Sequence, residues 1–527
     1  MNAHDSAPVP PPPAGPPPGG SFGPPPQDFG PPSPPSPATP PTPPPRPGQA
    51  LAEGGPRRGG RPAILLAAVL ALAVLIAGGT WYLLADRGQD GDSPRAEPSG
   101  GGQLPGAAQQ KPQEKAPADP TAATLVHALV PEFPRIPGGV TKETTWKAEG
   151  SWLTERVYAK TSVREITGYA AATGEKLWSL PLKGASCGGS PQVGKGGVAA
   201  VVVQDEPLDD RGYPAPCTEV LAFDLDTGKR VWSKSFTAEY QSRKTPFDQV
   251  VISKDTVAAG GIHGGAGFDL ADGSLRWGPE AGECGDRGYG GGPRLVAVRV
   301  CGPFGKRKFE AHLIDPDTGR NAWRYRLPAG ATAPKVLSTD PVVLGVDTGT
   351  TSLTGIDDVF SLDARGRLRY RITLEDDRFQ HSCRGAEIAQ SCRSLAVGND
   401  RLYVPTRSRA HGKGYWNEIV SFSLADGKPT RDRFEAGDGN TLLPLRMDGP
   451  RLLAYKSGTD VSVVSVDPRK GTQETLLTSP DGPIGLTPEY ADLRFTHGRL
   501  YVGSPLLGDP AGGSVKQHLA YGFGPEA

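Results

Sequence analysis

FDLDTGKRVW (223–232) sets an apolar and polar alternation, Phe223-Asp224-Leu225, before Asp226-Thr227-Gly228, with Trp232 four residues after the glycine. Alternation of period two is a strand signal, and Asp-Thr-Gly supplies the residue that accepts a positive φ in a tight hairpin. The phrase therefore reads as two antiparallel strands and a short turn. It recurs. YAAATGEKLW (169–178), FDLADGSLRW (268–277) and IDPDTGRNAW (314–323) repeat it closely, and SLDARGRLRY (361–370), FSLADGKPTR (422–431) and SVDPRKGTQE (465–474) repeat it loosely. The turn glycines Gly174, Gly228, Gly273, Gly319, Gly366, Gly427 and Gly471 lie 44 to 61 residues apart, the period of four-stranded propeller blades and not of helical solenoids.

A second repeat precedes each hairpin: short apolar strands such as GGVAAVVV (196–203), PRLVAVRV (293–300) and PRLLAYKS (450–457). With ERVYAKT (155–161) and GRLYVGS (498–504) they number eight, one more than the hairpins. The excess lies at the C-terminus, where HLAYGFG (518–524) ends the chain without an outer strand. TTWKAEG (144–150) is the expected donor of that strand, joining the two ends of the ring. An all-β, eight-bladed β-propeller follows, with seven blades as the alternative. Closing the ring covers each blade with its neighbours and removes exposed sheet edges. The repeated tryptophans are expected to pack between blades.

At this blade phrase the chain resembles the pyrroloquinoline-quinone-like repeat propellers, over roughly residues 140 to 527. The resemblance implies the fold. That family includes quinone-dependent alcohol dehydrogenases, outer-membrane assembly lipoproteins, and cofactor-free sensor or binding domains of bacterial membrane proteins. Its dehydrogenases hold the quinone over the central channel with a vicinal disulfide, a tryptophan floor, and Glu, Asn and Asp ligands for calcium. No two cysteines are adjacent here, and none of those ligands can be placed on a residue of this sequence. The expectation is no catalytic residue, no cofactor and no metal.

Residues 1–61 are a Pro- and Gly-rich tract, for example PPSPPSPATPPTPPPRP (31–47), with too little apolar surface to fold and polyproline II character. Residues 62–85 then run uncharged through AILLAAVLALAVLIAGGTWYLLA, enough to span roughly 30 Å of hydrocarbon as a transmembrane helix. A cleaved signal peptide would lie nearer the N-terminus and be shorter. Arg46, Arg57, Arg58 and Arg61 precede the span and only Arg87 and Arg95 closely follow it. By the positive-inside rule the tail is cytoplasmic and the propeller extracytoplasmic. Residues 86–135 are expected as a flexible linker, with TAATLVHALV (121–130) as a helical segment, and 136–527 as the propeller.

The 57 Lys and Arg balance 57 Asp and Glu, so no global field invites nucleic acid. Six cysteines, Cys187, Cys217, Cys284, Cys301, Cys383 and Cys392, all follow the membrane span, as disulfides on the outer side would. As sequence neighbours they pair Cys187 with Cys217, Cys284 with Cys301, and Cys383 with Cys392. Zinc is disfavoured because there is no CxxC and no histidine cluster.

Other motifs carry little chemistry. HGGAG (263–267) looks like an oxyanion loop, yet there is no G-x-S-x-G elbow to use it. GYGGGP (288–293) does not sit between a parallel strand and a helix. Asp224 and Asp226, or Asp315 and Asp317, alternate like calcium ligands, but no glutamate closes a twelve-residue loop and hairpin aspartates already have a turn role. His381 and His411, with Arg384, Arg407 and Arg409, fall in long connections that could face a ligand. The expected function is a membrane-anchored binding or scaffold module whose partner is an envelope protein, a peptide or cell-wall material. Its surfaces would be the insertions 204–218, 280–308 and 376–393. The rivals are a sensor signalling through the Pro-rich tail and a quinone-dependent dehydrogenase.

Overall fold

The computed structural model describes residues 113–130, 145–206, 215–279, 281–303, 305–348, 355–374, 378–383, 388–412, 414–483, 486–508 and 517–525. The Pro-rich tail 1–61, the span 62–85 and Arg384 lie outside them. Among the described residues no helix is long and apolar enough to cross a membrane.

Eight four-stranded antiparallel sheets are present among these residues. Blade 1 comprises Ser151–Leu153, Val157–Thr161, Glu165–Ala170 and Lys176–Pro181, paired in sequence order. Blades 2 to 7 repeat that meander over 186–235, 249–277, 284–326, 332–373, 396–435 and 441–479. Each second strand has a buried, mostly apolar stretch, as in Val198–Val203 and at 452–455 within Arg451–Ser457, because both its faces meet adjoining blades. The cores accordingly lie between blades: Val220, Ala222 and Trp232 of blade 2 pack with Val257, Ala259 and Phe268 of blade 3.

Blade 8 is made from both ends of the chain. Asp492–Thr496, Arg499–Gly503 and His518–Gly524 provide three strands, and Ala123–Leu129 pairs with His518–Gly524 as the fourth, from Ala123 opposite Gly524 to Leu129 opposite His518. This corrects three expectations. The segment 121–130 is a strand and not a helix, it lies within the stretch expected as linker, and it takes the closing place expected for 144–150. The cross-strand pairing with His518–Gly524 makes it extended, with Ala122, Val126 and Val130 turned to the core while His127 and Leu129 on the other parity are exposed. Trp146–Lys147 instead pairs with Leu506–Leu507 as a short ribbon, where Trp146 is buried with Val130, Val163 and Leu519. The eighth hairpin is missing from the sequence because its two strands lie almost four hundred residues apart.

A meander places its first and third turns at one end and its second turn, with the step to the next blade, at the other. One face of the ring therefore carries the Thr-Gly and Asp-Gly turns. The opposite face carries the long connections, and we call it the loop face. Cys187 is bonded to Cys217, Cys284 to Cys301, and Cys383 to Cys392. Each pair joins the start of a first strand, the end of a second, or the connections beside them, so all three disulfides stiffen the loop face.

The chain reaches its closing strand across the turn face. Glu114 accepts from the backbone N–H of His497 at 2.7 Å and of Gly498 at 3.3 Å, in the first turn of blade 8. Its own N–H donates to Asp448 at 2.7 Å, in the first turn of blade 7.

Candidate functional site

The first strands of the blades line a central bore that holds a cavity of about 260 Å³. Its wall includes Ser151 of blade 1, Gly188 and Ser190 of blade 2, Gln249 of blade 3, Val336 of blade 5, Pro444 of blade 7, and Asp492 and Arg494 of blade 8. The remaining wall is an insertion. The step from blade 5 to blade 6 enters the bore and is held there by polar contacts to five blades. Val336 N–H donates to Ala389 O at 2.7 Å, Lys335 Nζ to Ile388 O at 2.8 Å, and Ala389 N–H to Gln249 Oε1 at 3.0 Å. Gln390 Oε1 accepts from Gln192 Nε2 at 2.9 Å and from Gly291 N–H at 3.0 Å. On the far side Arg393 donates to Tyr490 O at 2.7 Å and pairs with Asp492. Cys392 sits beside Arg393, so its bond to Cys383 ties the return limb of the insertion to its entering limb.

Charge in the bore is concentrated near blades 1 and 8. Lys160 is fully buried, donates to the carbonyls of Ala148 and Gly150, and lies 3.8 Å from Asp492. Asp492 thus bridges Lys160 and Arg393, the pairing that a buried charge requires. Arg494 follows on the same strand. Its Nε donates to Ser151 O at 2.9 Å, joining blade 8 to blade 1. Burial pulls its guanidinium below the ordinary arginine range, with the Asp492 charge opposing and Arg393 reinforcing the shift. Tyr158 is stacked on Tyr501 with centroids 4.1 Å apart, and burial pushes its phenol far above the usual range. These groups escaped the sequence reading. The signal for Lys160 was there: in ERVYAKT it stands where the second strand of blade 2 has Val201.

The residues singled out in sequence have local roles. Asp224 Oδ1 accepts from Thr227 N–H at 2.7 Å and Thr227 Oγ1 at 2.8 Å, and Asp315 does the same with Thr318 at 2.9 and 3.0 Å. Asp226 pairs with Arg156 at 3.3 Å, and Asp317 with Arg276. In HGGAG, a Cβ on Gly265 would enter Tyr289 and one on Gly267 would enter Trp277, so these glycines serve packing. A Cβ on Gly290, in GYGGGP, would meet Val336. His381 Nε2 accepts from Ile356 N–H at 2.8 Å. His411 lies on the hairpin formed by Arg409–His411 and Gly414–Trp416, 3.3 Å from Asp438, and Arg407 is joined through its N–H to Arg378 O. They do not form one constellation.

Among the described residues the disulfides join cysteines 30, 17 and 9 residues apart, so none is the vicinal pair of the quinone-dependent dehydrogenases. No group of three or more His, Cys, Asp or Glu side chains is placed to hold a metal ion among the described residues.

The loop face around the bore carries exposed aromatic surface. Tyr240, Tyr415 and Tyr490 are 50, 64 and 63% exposed, each in a connection on this face. Tyrosine offers large contact area at low conformational cost and retains a polar tip, a chemistry suited to protein contacts.

Residues 139–284 match the family model described as outer membrane protein assembly factor BamB. No curated protein matches the chain in sequence. Among solved structures, BamB from Moraxella catarrhalis is similar at 14% identity, covering 73% of this chain and 99% of that one, with a TM-score of 0.40. The quinohemoprotein alcohol dehydrogenase ADHIIG from Pseudomonas putida HK5 is similar at 12% identity, covering 73% and 76%, with a TM-score of 0.41. The quinohemoprotein alcohol dehydrogenase from Comamonas testosteroni gives 12%, 73%, 76% and 0.41. The chain carries a β-propeller of pyrroloquinoline-quinone-like repeats.

Proposed function

We propose that the protein is a non-enzymatic scaffold whose propeller is held outside the cell by the span 62–85 and engages an envelope protein or peptide through its loop face. The observation that carries this reading is the gathering of all three disulfides and the longest connections on one face, where Tyr240, Tyr415 and Tyr490 are exposed. Crosslinked connections keep their shape before a partner arrives, which lowers the ordering cost of association. The match of residues 139–284 to an assembly factor supports a role in protein contacts. The first described residues, 113 and 114, lie on the turn face, opposite the connections that carry the three disulfides.

The test is photo-crosslinking of the full chain in its own membranes. Crosslinkers at Tyr240, Tyr415 and Tyr490 are expected to capture a common protein, while crosslinkers at Val193 and Lys254 on the turn face capture none. Equal capture from both faces, or none from the loop face, would overturn the assignment. Protection of the loop-face positions from an impermeant label in intact cells would overturn the extracytoplasmic placement.

A further inference from the structure

The bore contains a cation, Arg494, that makes no ion pair among the described residues, although Glu149, Asp248 and Asp492 line the same cavity. Arg494 is half-buried on the cavity wall, and its Nε donates to the Ser151 carbonyl. Among the described residues neither terminal nitrogen has an acceptor, and no carboxylate lies within ion-pair distance. The nearby Asp492 does not fill that role, because its carboxylate is already engaged by Lys160 and Arg393. A guanidinium whose Nε is anchored keeps a planar face of two parallel N–H donors, which matches a carboxylate edge to edge. The two terminal nitrogens keep solvent access on the cavity wall and are open to an anion that supplies the acceptor.

A second polar group shares the wall. Ser394 lines the same cavity, its hydroxyl has no partner among the described residues, and its backbone is held at φ 61°. That left-handed conformation is unfavourable for a serine and persists where surrounding structure imposes it. Here Arg393 on one side is fixed to Asp492 and Tyr490. The strained residue thus turns between a pinned arginine and the cavity.

We propose that Arg494, assisted by the Ser394 hydroxyl, is a receptor for a single carboxylate, on a ligand small enough for a cavity of about 260 Å³. A monoanion is favoured over a phosphate dianion, because the neighbouring Asp492 charge repels a second negative charge at this depth. The carboxylate could end a peptide chain or belong to a free acid. The site goes beyond the loop-face reading and can fail without it, since crosslinking at Tyr240, Tyr415 and Tyr490 does not involve the bore.

The experiment is titration calorimetry on the full chain in detergent at constant ionic strength. The probes are N-acetylglycine for a peptide terminus, propionate for a free acid, and N-acetylglycinamide as the uncharged control. Saturable binding of at least one acid is expected, with at least tenfold weaker binding of the amide. Arg494→Gln should weaken the acid at least tenfold, and Arg494→Lys should recover part of the loss. Binding of the amide as tightly as the acid, no binding of either acid, or undiminished binding by Arg494→Gln would each overturn the proposal. If Arg494→Gln does not fold, the acid and amide comparison on the unaltered chain still decides.

Discussion

The indole of Trp178, on the outer strand of blade 1, lies against the turn glycine Gly228 of blade 2, so closely that a Cβ on that glycine would clash with three of its ring atoms. Trp232 meets Gly273, Trp277 meets Gly319, Trp323 meets Gly366, and Tyr370 meets Gly427 in the same way. Trp178 and Trp232 also donate through Nε1 to the carbonyls of Leu225 and Leu270, at 3.2 and 2.9 Å. The repeated phrase is thus a latch between consecutive blades: its glycine makes the turn and receives the preceding blade's aromatic ring.

The latch separates two costs of replacing glycine. Gly228 has φ 68°, and Gly471 has φ 69° with nothing within 4 Å of the point a Cβ would occupy. Gly471→Ala is expected to lose only the backbone share, roughly 1–2 kcal/mol. Gly228→Ala should add about 1–3 kcal/mol of overpacking against Trp178. Denaturant unfolding of the two variants would show the difference, and equal losses would contradict the latch.

Sequence made the ring legible because the repeated phrase is local: its turn, strand alternation and aromatic residue all fall within ten residues, although each ring packs on the glycine of the next blade. The cysteine pairs were legible for the same reason, since each lies within about one blade of sequence. The closing strand was not, because Ala123–Leu129 pairs with His518–Gly524 and the alternation of TAATLVHALV contains too few large apolar residues to stand out. The bore was not legible either. Lys160, Arg393, Asp492 and Arg494 come from blades 1 and 8 and from the insertion before blade 6, and only closure of the ring brings them together.

Closure itself is testable through the two faces of the N-terminal strand. Val126 is 3% exposed and packs with Tyr158, Tyr501 and Ala520, whereas Leu129 is 44% exposed. Val126→Asp places a carboxylate in that core and should cost at least about 3 kcal/mol. Leu129→Asp should stay within about 0.5 kcal/mol of the parent. Thermal melts compare them; equal effects would mean that the strand does not close the ring in solution.

The same seam should respond to acid. His127 and His518 stack with ring centroids 4.2 Å apart, one on the N-terminal strand and one on its partner. Burial, and then the proximity of His127, hold the His518 imidazole below its usual range. Its unfolded counterpart therefore takes up a proton first as pH falls, so stability is complete above roughly pH 6.5 and is lost as pH drops from there through the lower folded value. Melting from pH 8 to pH 5 should show a decline that His518→Gln reduces. An unchanged profile in that variant would remove His518 as the source.

The buried pair of Lys160 and Asp492 should behave as a coupled unit and not as two separate contacts. Asp492→Asn leaves Lys160 charged and fully enclosed without the Asp492 carboxylate, an arrangement expected to cost roughly 3–5 kcal/mol. Lys160→Met alone leaves Asp492 paired with Arg393, which keeps some access to solvent, and should cost less. Because the second change removes the stranded charge, Lys160→Met combined with Asp492→Asn should be less damaging than the sum, by about 1 kcal/mol or more. A double-mutant cycle in denaturant measures that coupling. Simple additivity would show that the 3.8 Å approach of these two groups contributes nothing to holding blades 1 and 8 together.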